Sequence, residues 1–527
     1  MRAILFGFII IPLIVNSQNK RGHSWLFGIN GQIAKFVGDS TRPTTNQLFW
    51  NGSSPNYPYI FGNGHSNICD SAIGNIIMLC NGMQLFDSLG NIIEGGDSLV
   101  PNNIYAQNTY PNAATTQSSL ILPKGNNGEY YVFIATASDT TYDKWLSPTS
   151  TITPYDMLLY NIVDINANAG AGKVVKKNMP LLTNTEMSRT MMQACRHSNG
   201  IDWWLLKKTT IESNIIIRFL VTVDSIYGPY TQTFSEPYCS LYDATGQSAF
   251  NNAGTKYTQV QGKSNKIFLA DFNRCTGELN NPIIYNTPID STTFPYLDNM
   301  GSRDSISNGV CFSPNDQFLY LTKRWNVYQL EINEPDSALA WYHVKHGPDT
   351  TLNDFEYYGH LSRGPDKRIY IGKIGGSFKQ LSVIDKPDEK GAACNFCRKC
   401  LRIDNGAGGS TSPPNMPDYN LGPDTTSPCW PLSVHNILAQ REEIEVYPNP
   451  SHTRMNIRLV NIRNKHPLIE LYNAVGQKVL ATRSLEIDVS GLSSGVYYLK
   501  ARLCSPQEVE ASSPQGVRNV VRKIVVD

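Results

Sequence analysis

The stretch Ser313-Pro314-Asn315-Asp316-Gln317-Phe318-Leu319-Tyr320-Leu321 decides the fold class. Pro314 fixes φ near about −65°, Asn315 and Asp316 cap a tight turn through their own side chains, and the chain then leaves as an alternating strand. Gly364-Pro365-Asp366-Lys367-Arg368-Ile369-Tyr370-Ile371 repeats this order, and Asp70-Ser71-Ala72-Ile73-Gly74-Asn75-Ile76-Ile77-Met78-Leu79 is a looser copy. Similar strand clusters sit at 129–134, 202–208 and 266–272. Most of the clusters are spaced at roughly 50–65 residues, the scale of a propeller blade with decorated loops. Six units predict an all-β, six-bladed β-propeller, with seven blades as the alternative. The early strand Trp25-Leu26-Phe27-Gly28 is available to complete the last blade and protect its edges.

Composition agrees with this class. The 527 residues are rich in turn formers (40 Gly, 31 Pro) and in Tyr (27). No stretch sustains the 3.6-residue periodicity of a long amphipathic helix. Lys plus Arg is 45 against 44 for Asp plus Glu, a net charge of +1. Such a balance offers no field for nucleic acid or an anionic membrane. Lys176-Lys177 and Lys207-Lys208 read as isolated basic pairs on solvated faces.

Residues 1–17 read as a signal peptide: Arg2, an apolar run of 13 residues from Ala3 to Val15 broken by Pro12, then Ser17 before a cut at Gln18. The run falls short of the ~20 residues that span a bilayer. Residues 23–433 form the predicted propeller, 434–443 a linker, and 444–527 a small Ig-like β-sandwich. In the last of these, 455–460 alternates with period two, and Asn473-Ala474-Val475-Gly476 is a hairpin turn in which Gly476 is free to take positive φ.

This C-terminal segment closely resembles the type A sorting domain of the type IX secretion system of Bacteroidetes. The matching elements are Val446-Tyr447-Pro448-Asn449-Pro450, Leu471-Tyr472 to Gly476-Gln477-Lys478-Val479, Ile487-Asp488-Val489-Ser490, Leu492, Gly495-Val496-Tyr497 and Lys523-Ile524-Val525-Val526. The order and spacing carry the likeness. An insertion, Cys504 to Arg518, departs from the family's tight final hairpin. The resemblance implies recognition by the secretion translocon through 444–527, passage across the outer membrane, and attachment to lipopolysaccharide after processing. Of the motif residues, Pro448 and Pro450 are expected to set the entry turn, Gly476 and Gly495 to permit tight turns, and Lys523 to keep the last strand's outer face polar.

The middle of the chain looks like the lactonase- or WD40-like propellers of exported Bacteroidetes proteins. The pieces include Trp25 to Gly28, Cys69-Asp70, Tyr130-Tyr131-Val132-Phe133, Phe312-Ser313-Pro314, Gly364-Pro365-Asp366 and Pro413-Pro414-Asn415-Met416-Pro417. They are short and structural, and they imply fold and export without carrying a catalytic site.

The eleven Cys are odd in number, and export exposes them to an oxidising compartment. Cys69 and Cys80, flanking a strand turn, and the run Cys394, Cys397, Cys400 are the disulfide candidates. The run lacks a fourth ligand, so no metal site and no cofactor is assigned. The nine His include His343, His346 and His360 but no HExxH, and read as loop histidines. Asp304, Asp316, Asp349, Asp354, Glu356 and Asp366 read as turn caps, with no pair at a set catalytic separation. Trp203-Trp204 places one ring on each side of a strand; blade-to-blade packing is the favoured reading of such aromatics, and a surface that stacks on sugars or grips proteins is the alternative. No catalytic residue is assigned. The resulting expectation is a secreted or cell-surface binding or adhesion module for glycan or protein, with no nucleic-acid partner and no transmembrane segment. The alternative is a secreted hydrolase of polysaccharide or lactone working in the propeller funnel.

Overall fold

A computed structural model describes residues 19–29, 32–37, 43–48, 60–61, 64–109, 115, 117–145, 154–209, 214–235, 246–262, 265–288, 307–336, 339–345, 347, 357–373, 380–403, 412–430, 443–460, 467–504 and 517–527. The chain divides into two units, Met1–Pro431 and Leu432–Asp527. The reading of 1–17 as a signal peptide, and His346, Asp304, Asp349, Asp354 and Glu356, lie outside the described residues.

In the first unit, the described residues form seven antiparallel sheets in chain order, six of four strands and one of three. The inner strands are Ser24–Ile29, Ser66–Cys69, Ser119–Pro123, Met187–Arg196, Gly246–Phe250, Ser307–Phe312 and Tyr358–Arg363, and each touches the next along this series. Apolar clusters fill the spaces between successive sheets. Leu26, Cys69 and Phe86 join the first sheet to the second. One large cluster joins the second, third and fourth. Three more join the fourth to the fifth, the fifth to the sixth, and the sixth to the seventh. The ring closes between the seventh sheet and the first, where Trp25, Phe27 and Phe36 meet Tyr370, Leu381 and Val383. The Trp25 and Tyr370 rings meet edge-on at 5.5 Å. This closed ring of sheets is a β-propeller.

Closure differs from the sequence reading. Ser24–Ile29 pairs with Gln32–Lys35 and Ile60–Phe61, so it builds a sheet of its own and meets the last sheet through side chains. The six sequence clusters each fall in a different one of the other six sheets.

The two tryptophans obey the strand alternation. Trp203 enters the cluster shared with the third sheet and Trp204 the one shared with the fifth. Lys207 and Lys208 are a correction: both are fully buried. The strand Trp203–Thr209 is covered on both faces, which removes the period-two signal, and Lys207 Nζ donates to the Thr190 carbonyl at 2.6 Å.

The second unit packs a three-stranded sheet against a four-stranded one. Met455, Ile457 and Ile487 come from the first, and Ile469, Leu471, Leu499, Ile524 and Val526 from the second. Despite the insertion, the last two strands pair in unbroken register from Gly495↔Val526 to Cys504↔Val517.

Candidate functional site

The inner strands of a propeller present unpaired backbone edges toward the axis, and each buried polar group there needs a partner. Side-chain amides supply them. Asn67 receives the Leu26 amide at 3.2 Å and donates to the Ser24 carbonyl at 2.8 Å, tying the second sheet to the first. Gln117 binds both backbone groups of Ser248, at 2.9 and 2.8 Å, linking the third sheet to the fifth. Gln247 accepts from the Val310 and Leu361 amides and donates to the Leu361 carbonyl.

Residues 412–421 pass among these inner strands as an irregular segment and occupy the axis. Asn415 is its anchor. The Asn415 amide nitrogen of the backbone donates to the His65 carbonyl at 2.9 Å. Its Nδ2 donates to the carbonyls of Ser119 and Met192 at 2.9 and 3.0 Å. Its Oδ1 accepts from Gln117 and Gln193 at 3.3 and 3.2 Å. One side chain thus joins the third and fourth sheets, while the backbone reaches the second.

Further along, Tyr419 donates its hydroxyl to the Ile121 carbonyl at 2.7 Å, and Arg363 pairs with Asp418 at 3.0 Å. Arg196, stacked 4.0 Å over Trp203, donates to the Tyr419 carbonyl. Arg274 donates to the Gly422 carbonyl. The segment then ends in a disulfide between Cys429 and Cys275 of the fifth sheet's last turn. A chain leaving the seventh sheet therefore plugs the axis and is locked to the far rim.

At the upstream end of the plug, buried His360 lies 3.0 Å from Ser412 Oγ through Nδ1. Burial pushes its imidazole down to about 3, against about 6.5 in an unfolded chain. The folded protein holds His360 neutral. Below about pH 6.5 the unfolded chain takes up a proton that the folded one refuses, so stability falls as pH drops toward 3. The loss at pH 5 is about 2 kcal/mol. Denaturation at pH 7 and pH 5 should show this drop in the native protein and a smaller one in His360→Asn.

A cavity of about 280 Å³ remains beside the plug, bordered by Gln193, Gln247, Asn252, Arg363, Lys367 and Asp418 among others. Asp418 is the carboxylate of its lining and is already held by Arg363. Cys195 and Cys311 also border it, and burial pushes their thiols up to about 12 and about 11, which keeps them protonated and inert. Among the described residues no group of three His, Cys, Asp or Glu side chains is placed to hold a metal ion.

The other candidates act structurally. Asp316 accepts from Asn251, Asn252 and Ala253 of the neighbouring sheet's turn. Asp366 accepts from the Tyr370 hydroxyl at 2.6 Å and pairs with Arg368 at 3.0 Å. His343 stacks on Tyr328 and lies 3.1 Å from Asn326 Oδ1.

The cysteine candidates divide. Cys397 and Cys400 are joined. Cys69, Cys80 and Cys394 are free and buried, a correction to their candidacy. In the ladder of the second sheet Cys80 lies opposite Ser66 and Cys69 opposite Ile76. The two thiols therefore sit at opposite ends of a four-residue strand, about 10 Å apart by strand rise. Cys394 is enclosed in the cluster between the sixth and seventh sheets. The Cys275–Cys429 bond, whose ends are 154 positions apart in the sequence, has no local signature there.

In the C-terminal unit the motif residues gather at strand ends and turns. Tyr447, Pro448, Asn449 and Pro450 are exposed at the end of Glu443–Tyr447. Asn449 Oδ1 accepts from the Val525 amide at 2.8 Å, and the Ser451 amide donates to the Val525 carbonyl at 3.0 Å, so the entry turn holds the last strand. Asp488 accepts from the Ser490 amide and hydroxyl at 2.9 and 2.6 Å, and these hydrogen bonds hold its carboxyl below its ordinary value. The Leu492 amide closes the same turn onto the Val489 carbonyl. Val496 and Tyr497 follow on the next strand, with Tyr497 buried and its hydroxyl on the Ser493 carbonyl at 2.7 Å. Lys523 pairs across from Tyr498 in the last strand, and its side chain is outside the described part.

The two glycines differ. Gly476 has φ +81° in the hairpin closed by Asn473 and Gln477. Gly495 opens a strand, has no left-handed φ, and leaves 4.0 Å to the nearest neighbours of an added Cβ, so no tight turn depends on it. Gly476→Ala should cost the second unit about 1 kcal/mol in chemical denaturation, since open space surrounds the site and only the backbone is strained.

Residues 445–509 match the family described as the secretion system C-terminal sorting domain. The C-terminal unit carries a type IX sorting domain. Its matched part stops before Val517–Val526, the strand that completes the four-stranded sheet. No curated protein matches the chain. Solved structures similar to it include a periplasmic gluconolactonase of Pseudomonas aeruginosa, at 11% identity over 96% of this chain and 99% of the other, TM-score 0.34. Another is Kluyveromyces lactis Hsv2, at 8% identity over 69% and 87%, TM-score 0.33. A third is the β-propeller domain of Myceliophteria thermophila Cps50 (Swd1), at 10% identity over 67% and 91%, TM-score 0.27. The ring of sheets carries the fold, and these distant likenesses add nothing to it. The sorting domain implies export by the secretion system to the cell surface or beyond, and no described helix is long and apolar enough to cross a membrane.

Proposed function

We propose that this is an exported Bacteroidetes protein, led into the periplasm by a signal peptide at 1–17, whose propeller (residues 23–433) binds glycan or protein without catalysis. A linker at 434–443 joins it to an Ig-like address domain at 444–527, which engages the translocon and is then exchanged for lipopolysaccharide. Each of the seven sheets is taken as a blade. The observation that carries the binding reading is the plug: residues 412–421 run among the inner strands, and Asn415 commits its side chain to them. Ligand contact then falls to the rim loops of a rigid ring.

The hydrolase reading retains the 280 Å³ cavity, and a glycosidase there needs two working carboxyls. Among the described residues the lining supplies one carboxylate, Asp418, and it is paired with Arg363. Glycan-array and pull-down screening of the mature protein, run beside turnover assays on polysaccharides and lactones, separates the two. Retention of a ligand with no turnover supports the binding module. Turnover lost in Asp418→Asn would replace it with the hydrolase.

A further inference from the structure

The Cys397–Cys400 bond stands apart from everything assigned so far. It encloses Arg398 and Lys399 in Phe396–Arg402, the outermost strand of the seventh sheet, which pairs only with Gln380–Ile384 in that sheet. The ladder is irregular there: Val383 faces Cys397 while Leu381 faces Leu401, so the bonded residues form a bulge. Lys399 takes φ +56° within it. The Cα atoms are 5.7 Å apart.

Three properties follow. Both cysteines are partly buried and reach the surface, unlike Cys394 three residues earlier, which is fully buried. Opening the bond frees a loop of only two intervening residues at a sheet edge, whereas opening Cys275–Cys429 unties the chain beyond the plug from the fifth sheet. Arg398 and Lys399 lie between the two cysteines in the chain and Arg402 follows, with no acidic residue from 396 to 403, a local sequence charge that favours thiolate over thiol.

We infer that Cys397 and Cys400 form a thiol–disulfide exchange site for a cysteine pair on a partner protein. The two sulfurs are not equivalent. Cys400 packs against the apolar cluster of Tyr370, Leu381 and Leu401, and Cys397 does not belong to it. A partner thiolate therefore attacks Cys397 Sγ. The Cys397–Cys400 bond breaks, its electron pair leaves on Cys400 Sγ, and a mixed disulfide forms at Cys397. The partner's second thiolate then attacks its own bonded sulfur and releases Cys397 as thiolate. The partner loses two electrons and two protons, and Cys397 and Cys400 gain them as thiols. The same exchange run in reverse against a disulfide-bearing protein restores the bond.

The full chain, held under native conditions in glutathione redox buffers, alkylated and mapped by mass spectrometry, tests this site. Cys397 and Cys400 should become alkylated at a reducing ratio at least about tenfold milder than Cys275 and Cys429, with near-UV circular dichroism unchanged. Cys400→Ser, with oxidised glutathione, should capture one glutathione at Cys397. Opening of both disulfides together, opening only with loss of the near-UV signal, or no capture by a folded Cys400→Ser would overturn the assignment.

Discussion

Deleting residues 444–527 should leave a folded propeller trapped in the periplasm, with the amount at the surface or in the medium falling to background. The folded half of this expectation rests on the division of the chain: the propeller's clusters are built from residues 25–419, while the C-terminal unit has a core of its own. The trapped half rests on the sorting domain at 445–509. Cell fractionation with immunoblotting reads location, and circular dichroism of the periplasmic fraction reads folding. Arrival of the truncated protein in the medium would remove the sorting role.

Asn415→Ala should destabilise the propeller by about 3 kcal/mol, the largest single-residue effect expected here. Four side-chain hydrogen bonds disappear at once, leaving the Ser119 and Met192 carbonyls without that donor and weakening the hold on Gln117 and Gln193. Buried groups stripped of partners lose their desolvation energy without return. Exposed Asn420→Ala, five residues on, should change stability by less than about 0.5 kcal/mol. Urea denaturation of the two variants reads the difference. Equal midpoints would show that the plug is a passenger in the channel rather than part of its wall.

Much of the architecture is legible in the sequence because each turn solves a local problem. Ser313 to Gln317 and Gly364 to Arg368 join the first and second strands of the sixth and seventh sheets, and Asp70 to Asn75 does so in the second. Their Asp, Pro and Gly residues are set by turn geometry and survive without knowledge of the whole ring. The first sheet escaped because its strands are short, Gln32–Lys35 and Ile60–Phe61 among them, and only Trp25 to Gly28 reads as a strand.

Other features are legible only in three dimensions. Pro413 to Pro417 has no periodicity, and its meaning comes from inner strands hundreds of residues away. Lys207 looks solvated because a sequence shows a charge and not the carbonyl of Thr190 that receives it. Cys275 and Cys429 are local to nothing until the plug returns to the rim. The sorting motifs are the opposite case. Asn473, Gly476, Asp488 and Leu492 act on residues within a few positions, so spacing alone exposes them.

A transfer experiment tests whether the C-terminal unit alone directs export. Residues 443–527 joined to a soluble periplasmic reporter, in a host with a working type IX system, should carry it to the cell surface or medium, and inactivating the translocon should return it to the periplasm. A reporter that remains periplasmic with the translocon intact would show that residues 443–527 are not a sufficient sorting signal.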